Sequence, residues 1–392
     1  MSLWRASWGS GRGSQITDAA FTIGGCNESA LTQEHYPTST MVTNCLRRGL
    51  IAALVCMPAV TDASIGRVLG PQQVQEPYRE RVDVPRVLLD VRVVQDSGRP
   101  IEGLVASDFS VRIDGKVSAI DTAEWVPPRA EDERTTKSNE SHARTPINGR
   151  WIVLLYQKKT DLSDVQGLMR FRRDFAAFAK LISEDDRVAI LSFDSSLHVW
   201  LDFTNDVKGV RQVMEHDILV GTPPQLPAGP FPSLAAAVPS RTGNSTTTIE
   251  KSLRLIGEVL TSVPGAKSII VFSSGMGTWS PRAGVVQMAR DYADTFFALV
   301  RARVSVFSVD IMRADYHPRQ EALEAISRDT GGIYLKSHVF TTAVFDRIAG
   351  ALAGYYVLSV VPPDAQTGGR GIDVSLRRRK GTVFAKRAYS AQ

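Results

Sequence analysis

The sequence has 392 residues, 43% of them hydrophobic, so it can bury at least one large core and is long enough for about two domains. Lysine and arginine (46) and aspartate and glutamate (41) are interspersed along most of the chain, which leaves a formal net charge of only +5. A small, dispersed excess of this kind is typical of a solvated surface, and we expect no nucleic-acid partner.

The first 64 residues predict a leader and a signal peptide. Residues 1–40 show no hydrophobic period and are expected to be unstructured, with translation starting at Met41. In 41–64, two arginines precede an apolar run and small residues follow it, which is the order of a secretory signal. The run at 49–60 is too short to span a bilayer, which needs about twenty residues, so we expect no transmembrane segment after cleavage.

The cysteines agree with export. Cys26, Cys45 and Cys56 all precede the predicted cleavage point, so disulfides, zinc–cysteine sites and thiol catalysis are excluded for the mature chain. The predicted location is extracytoplasmic: secreted, periplasmic or in the cell envelope.

Two β-rich segments flank the middle of the chain. Residues 72–126 contain short strands joined by Ser-Gly and Asp-Gly turns, which is typical of antiparallel pairing, and 355–392 return to the same pattern. Because each segment is an incomplete sheet, we predict that the two pair into one small β-sandwich. Residues 127–149 are polar and turn-rich, and they predict a flexible linker.

Residues 150–354 alternate apolar strands with amphipathic helices. Alternation of this kind predicts a parallel sheet covered by helices on both faces. The predicted fold class is therefore α/β: a doubly wound, mostly parallel, Rossmann-like sheet inserted in the small antiparallel β-sandwich. The predicted strands are 151–156, 186–193, 197–203 as an antiparallel edge, 267–273, 304–310 and 333–335, and the predicted helices are 163–182, 247–263, 283–301, 320–328 and 342–353.

Several stretches together resemble a known family. They are 87–91 with 103–111, then 186–193, 330–334 and 354–358, and no single one of them is specific. In this order and spacing they resemble the von Willebrand factor type A-related proteins typical of Acidobacteria, which are secreted. The resemblance implies a type A domain with a divalent-cation site at the carboxyl ends of the parallel strands. In such domains one loop supplies an aspartate and two hydroxyls, a second a threonine, and a third another aspartate.

In this sequence the corresponding positions lack the carboxylates. Mg²⁺ prefers about six hard oxygen ligands with compensating negative charge, and neutral side chains beside two lysines do not supply that charge. We therefore expect no metal and no cofactor; the fallback is a weakly favoured Mg²⁺ site shifted to Asp161 and Ser163. In family order, the matching positions are Tyr156, Lys158 and Thr160 in the first loop, Thr246 or Thr247 in the second, and Ser274 in the third.

The predicted function is a non-enzymatic interaction or adhesion module. Its partner is another protein or an envelope or surface polymer, contacted without metal by the rim of the degenerate site. Trp279 suits a contact surface because aromatic residues are enriched at interfaces, although packing against its own helix explains it equally well. The predicted rim comprises Tyr156, Lys158, Thr160, Thr246, Thr247, Ser274 and Trp279, together with the proline- and glycine-rich insertion at 221–244.

Three alternatives remain open. A metal-dependent adhesin would use the shifted site, and a structural envelope component would need no site at all. A hydrolase using Ser273 or Ser274 is disfavoured, because the sequence has no Gly-x-Ser-x-Gly elbow, no phosphate loop and no histidine pair at metal spacing. The histidines, including His198, His216 and His317, are scattered and are expected at the surface or in loops.

Overall fold

The computed structural model describes residues 86–127, 149–158, 162–179, 182–229, 232–238, 248–337, 341–364 and 368–391. All of them belong to one unit, Arg79–Gln392. The predicted leader and signal peptide, and nearly all of the predicted linker, lie outside the described residues.

The described chain is mainly β. The strands are β1 (Val87–Val94), β2 (Phe109–Ile113), β3 (Lys116–Val126), β4 (Trp151–Gln157), β5 (Arg187–Phe193), β6 (Leu197–Thr204), β7 (Lys267–Ser273), β8 (Thr278–Ser280), β9 (Val285–Gln287), β10 (Val304–Asp310), β11 (Tyr334–Lys336), β12 (Tyr355–Val361), β13 (Gly368–Leu376), β14 (Thr382–Ala385) and β15 (Ala388–Ala391). The helices are α1 (Leu162–Ala179), α2 (Val207–Gln212), α3 (Ile218–Val220), α4 (Leu234–Ala237), α5 (Ile249–Leu260), α6 (Tyr292–Arg301), α7 (Gln320–Thr330) and α8 (Thr341–Leu352), with a π-helical turn at Val213–Asp217 between α2 and α3.

The larger sheet has seven antiparallel strands in the order β14-β1-β12-β3-β2-β13-β15. Side chains alternate along β12, so that Tyr356, Leu358 and Val360 face an apolar core. β14 and β15 are consecutive in the chain yet lie at opposite ends of the order. The sheet therefore curls, and the Ile372 amide donates to the Arg387 carbonyl at 2.7 Å where its two ends meet.

The smaller sheet has six strands in the order β11-β10-β7-β4-β5-β6 and is mixed. β6 runs antiparallel to β5 because the turn at 194–196 is too short for a crossover, whereas the remaining neighbours pair in parallel. β4, β7 and β10 are buried along their whole length, so apolar layers cover both faces of this sheet.

The predicted fold class is wrong as a description of this chain. The largest sheet is antiparallel and curled and the second is mixed, in place of a doubly wound, mostly parallel, Rossmann-like sheet. The flanking segments do pair with each other, β1 with β12 and β2 with β13. They form one continuous curled sheet where a sandwich was predicted, because β14 and β15 join its two ends.

Local signals account for the ends of the helices. α5 begins after Thr248, whose hydroxyl accepts from the Lys251 amide, and α7 ends at Gly331, whose φ of 74° is left-handed. The helix predicted at 283–301 is wrong in its first half. The β-branched pair in Val285–Gln287 forms β9, which pairs with β8, and only Tyr292–Arg301 is helical. No helix among the described residues is both long and apolar enough to cross a bilayer.

Buried charges lie between the two sheets. Asp90 of β1 accepts from Arg303 through two guanidinium nitrogens, with Nε at 3.0 Å, and Lys386 Nζ lies 3.9 Å from the same carboxylate. Lys386 also donates to the Val300 carbonyl at 3.2 Å, near the end of α6. Burial lowers the pKa of Lys386 to about 7, although Asp90 acts in the opposite direction.

Two further cations complete this group, which we call the inter-sheet cluster: Asp90, Arg92, Lys267, Arg303 and Lys386. Arg92 donates to the Ala351 carbonyl at the end of α8 at 3.1 Å, and Lys267 donates to the Val263 carbonyl at 2.5 Å. Burial lowers the pKa of Lys267 to about 8. Carbonyls at or just after the ends of α8, α5 and α6 accept hydrogen bonds from Arg92, Lys267 and Lys386, and helix C-termini attract cations, which helps to stabilise these three buried cations beside Asp90; Arg303 is only partly buried.

Candidate functional site

Three parallel strands end side by side at one edge of the six-stranded sheet, which we call the carboxyl edge. Asp310 of β10 is in register with Ser273 of β7, and Gln157 follows Tyr156 of β4, which is in register with Phe272. Carboxyl ends of parallel strands are the usual place for ligands in folds of this kind. The polar row Gln157, Ser273 and Asp310 is therefore the candidate site.

Ser273 occupies the middle of the row and is fully buried. Its hydroxyl donates to Gln157 Oε1 and accepts from the Gly275 amide at 3.0 Å. Gly275 has a φ of 131°, and a Cβ there would lie 2.6 Å from Arg319 Cβ, so only glycine fits this turn. The Arg319 guanidinium donates to the Gly275 carbonyl at 3.0 Å, which holds a cation against the edge.

Asp310 is the buried carboxylate of the row. Its Oδ2 accepts from Tyr334 Oη at 2.7 Å and lies 2.8 Å from His317 Nε2, while Oδ1 accepts from the Met312 amide at 3.0 Å. Burial, reinforced by the bond to Asp310, raises the pKa of Tyr334. His317 lies in the loop between β10 and α7, in line with the expectation of a surface or loop position, but at 8% exposure it is buried there.

Lys158 follows β4 and adds a second cation. Its ammonium lies 4.4 Å from the centroid of the Trp200 ring, a cation–π contact. Partial burial lowers the pKa of Lys158, and the nearby Asp194 carboxylate opposes this. Together, Lys158 and Arg319 give the described part of the edge two cations for its one buried carboxylate.

The structure separates the predicted rim residues. Tyr156 is 1% exposed and stacks on Phe272 with ring centroids 4.6 Å apart, so its side chain lies in the core. Burial raises the pKa of its phenol well above the ordinary value. Ser274 is also buried, at 3% exposure, whereas Trp279 on β8 is 39% exposed.

The remaining predicted positions are not placed. Thr160, Thr246, Thr247 and Asp161 lie outside the described residues, and Ser163 falls in the first turn of α1. Of the insertion predicted at 221–244, the described part contains α4, whose first amides bond to Asp202; the Leu234 amide lies 2.9 Å from its carboxylate.

Sequence reasoning missed Gln157, Asp310, His317 and Tyr334. Asp310 was recognised as the end of a buried strand but received no role, because the family's third-loop aspartate corresponds to Ser274 on another strand. The available signal was positional: a charged residue that ends a fully apolar strand lies where ligands bind. His317 carries no such signal, because only tertiary packing brings it to Asp310.

The described donors at this edge do not fit a divalent cation. Both oxygens of Asp310 and the side-chain oxygen of Gln157 already accept hydrogen bonds, and two cations flank them. Mg²⁺ requires near-octahedral hard oxygen ligands with compensating charge. Among the residues that the structure describes, no group of three or more histidine, cysteine, aspartate and glutamate side chains is placed to hold a metal ion.

No protein-family model matches this sequence, and no curated protein matches it either. Solved structures similar to it include a von Willebrand factor type A protein from Catenulispora acidiphila, at 10% identity over 74% of each chain with a TM-score of 0.37. Another is the conserved hypothetical protein BatB from Bacteroides thetaiotaomicron, at 16% identity over 51% of this chain and 98% of that one, with a TM-score of 0.35. A third is the three N-terminal domains of the type V pili tip protein Mfa5 from Porphyromonas gingivalis, at 10% identity over 78% and 68%, with a TM-score of 0.34.

The chain is thus similar, at low identity, to type A-like and pilus proteins. The narrower resemblance to acidobacterial proteins stays a prediction.

Proposed function

We propose that this chain is a non-enzymatic interaction module that acts outside the cytoplasm. It contacts another protein or an envelope polymer through the partly exposed Lys158 and Arg319 at its carboxyl edge and through the adjoining β8–β9 hairpin, without a resident metal. One observation carries the proposal: the edge is closed by its own hydrogen bonds and flanked by cations, while an aromatic hairpin beside it is exposed to solvent.

Two features of the edge favour recognition without metal. Ser273 and Gln157 satisfy each other, and Asp310 is held by His317 and Tyr334. A divalent cation that bound at this edge would have to break these hydrogen bonds. It would also be repelled by the positive charges of Lys158 and Arg319.

The same bonds weigh against catalysis. A serine nucleophile needs a base within hydrogen-bond reach and an accessible hydroxyl. Ser273 is fully buried and donates to an amide oxygen, and His317 directs Nε2 to a carboxylate. We therefore assign neither side chain a reacting role.

The hairpin supplies the contact surface. Among the described strands, β8 and β9 pair with each other and with no third strand, and Trp279 and Val285 are 39% and 48% exposed. Exposed aromatic side chains are enriched at protein interfaces. An extracytoplasmic location rests on the predicted signal peptide at 41–64.

A pull-down from envelope extract tests the proposal. The mature chain should retain its partner with and without chelator, and Trp279→Ser should lose at least tenfold in recovery. Val117→Ser is the matched control, because Val117 is 59% exposed on β3, which belongs to the seven-stranded sheet and not to the hairpin. Equal recovery with both variants, or complete loss with chelator, would refute the proposal.

A further inference from the structure

Four consecutive cations form most of the turn that joins β13 to β14. Residues 377–381, which we call the basic turn, are all exposed. Connections between strands usually consist of glycine, proline, asparagine, aspartate and serine, which favour tight turns. Here only Gly381 is of that kind, and the other four positions are Arg377, Arg378, Arg379 and Lys380. Proteins depart from such local preferences mainly at functional or strained sites.

The positive charge of the basic turn is not neutralised by the part of the chain that the structure describes. None of its four cationic side chains forms an ion pair with a described residue. The neighbouring segment 101–108 carries only two carboxylates, Glu102 and Asp108. The Arg377 amide donates to the Asp108 carbonyl at 2.8 Å, but the Asp108 carboxylate accepts from the Val105 amide at 3.0 Å. Adjacent cations repel one another, and an anionic surface relieves that repulsion.

An exposed aliphatic side chain lies beside the basic turn. Val105 is 57% exposed and precedes the short helical turn Ala106–Asp108, whose last residue accepts from the Arg377 amide. Binding to a lipid surface strengthens with the number of cations near anionic headgroups and with the apolar area that enters the interface. The basic turn and Val105 supply both contributions on one exposed surface.

We propose that the basic turn and Val105 dock this chain on a membrane that contains anionic phospholipid. A lipid surface fits these features better than a protein partner does. Specific protein interfaces have a well-packed centre that is depleted of charged residues, and one valine beside four cations does not form such a centre. Lipid headgroups, in contrast, are mobile and can gather around exposed charges without a complementary shape.

The basic turn belongs to the sheet that lies away from the carboxyl edge. Asp90 of β1 accepts from Arg303, which directly precedes β10, and Lys267 of the same inter-sheet cluster is the first residue of β7. The seven-stranded sheet therefore packs at the amino ends of these strands, and the carboxyl edge lies at their other ends, about 20 Å away along the strand. A chain docked through the basic turn can thus present its carboxyl edge and the β8–β9 hairpin to a partner. The docking surface goes beyond the function proposed above and does not depend on it.

Co-sedimentation of the mature chain with lipid vesicles tests the proposal. We expect saturable binding to mixed vesicles of phosphatidylglycerol and phosphatidylcholine that weakens with salt, and no binding to phosphatidylcholine alone. Arg378→Gln with Arg379→Gln should weaken binding at least tenfold, because each cation near an anionic surface strengthens binding about fivefold. The control, Arg282→Gln with Arg290→Gln, removes the same charge from exposed positions on either side of β9 and should change binding less than twofold.

Val105→Gln, which leaves every cation in place, should weaken binding about threefold through the lost apolar contact. Each of the following results would overturn the proposal: equal binding of the two double variants, unchanged binding of Val105→Gln, equal binding to phosphatidylcholine, displacement by inorganic phosphate at an ionic strength at which sodium chloride has no effect, and capture of a hexaglutamate peptide without binding to phosphatidylglycerol vesicles. Because these readouts do not involve Trp279, they stand or fall separately from the pull-down.

Discussion

The inter-sheet cluster gives the sharpest prediction about stability. Asp90→Asn removes the single carboxylate from the cluster and leaves Arg303, Lys267 and Lys386 uncompensated. Asp90 is 3% exposed and Lys386 8%, so water cannot replace the lost interactions. Removing one partner of a buried ion pair costs about 3–5 kcal/mol, and we expect about 3 kcal/mol here because the Arg303 side chain is 28% exposed.

The control is an exposed pair of the same chemistry. Arg86 and Asp121 lie 2.8 Å apart with side chains 60% and 42% exposed, so Asp121→Asn should cost less than about 1 kcal/mol. Urea unfolding of both variants, followed by tryptophan fluorescence and far-UV circular dichroism, measures the difference. Equal losses of stability would refute the idea that Asp90 holds the cluster together.

The pH dependence of unfolding tests the same cluster from another direction. The pKa values of Lys386 and Lys267 are lowered in the folded chain, to about 7 and about 8, whereas an unfolded lysine has a pKa of about 10.4. At pH values between the folded and the unfolded pKa, the unfolded chain binds more protons than the folded chain, so the free energy of unfolding rises with pH. Below about pH 7 both lysines are charged in the folded chain and their burial destabilises it fully; this destabilisation decreases as the pH approaches 10.

Asp90→Asn should therefore cost more near pH 6 than near pH 9, because the lysines need the carboxylate only while they are charged. A loss of stability that is independent of pH, or one that grows with pH, would contradict the assignment of these charges.

Other substitutions test the fold at single positions. Gly354→Ala should lower the free energy of unfolding in urea by about 2 kcal/mol or more, because Gly354 has a φ of 147° and a Cβ there would lie 2.3 Å from the Trp125 ring. The control is Gly103→Ala: Gly103 has a φ of 70° but no atom within 4 Å of the added Cβ, so the loss should be only about 1 kcal/mol. Phe345→Ala should cost about 3–5 kcal/mol, because its ring is fully buried in the layer that covers β4 and β10. Trp279→Ser should change stability by less than about 1 kcal/mol, since its side chain is partly exposed on the hairpin.

The strands of the six-stranded sheet were predictable from sequence. The predicted strand 304–310 coincides with β10, and 186–193 differs from β5 by one residue. Fully buried strands appear in a sequence as continuous apolar runs rich in β-branched residues, and such runs can be recognised without knowledge of the tertiary structure.

The curled seven-stranded sheet was only partly predictable. The pairing of the flanking segments follows from their incomplete, alternating patterns. The closure does not, because it depends on a bend at Lys386 and Arg387 that lets one short stretch pair with β1 on one side and β13 on the other. Nothing in the local hydrophobic period specifies that bend.

The candidate site was the least predictable part. Correspondence with a family motif points to Tyr156, whose ring packs in the core, and to Ser274, whereas the polar row is formed by the adjacent Gln157 and Ser273 together with Asp310. A shift of one residue along a strand reverses the face on which a side chain lies, so a motif carried over without structure can fall on the wrong face.

Titration calorimetry with Mg²⁺ on the mature chain tests the central claim most directly. We expect no saturable heat of Mg²⁺ binding, and we expect the wild-type chain, Asp310→Asn and Asp161→Ala to give the same titration curve. Binding of one ion per chain that either substitution abolishes would show that the edge holds a metal and would contradict recognition by a metal-free surface.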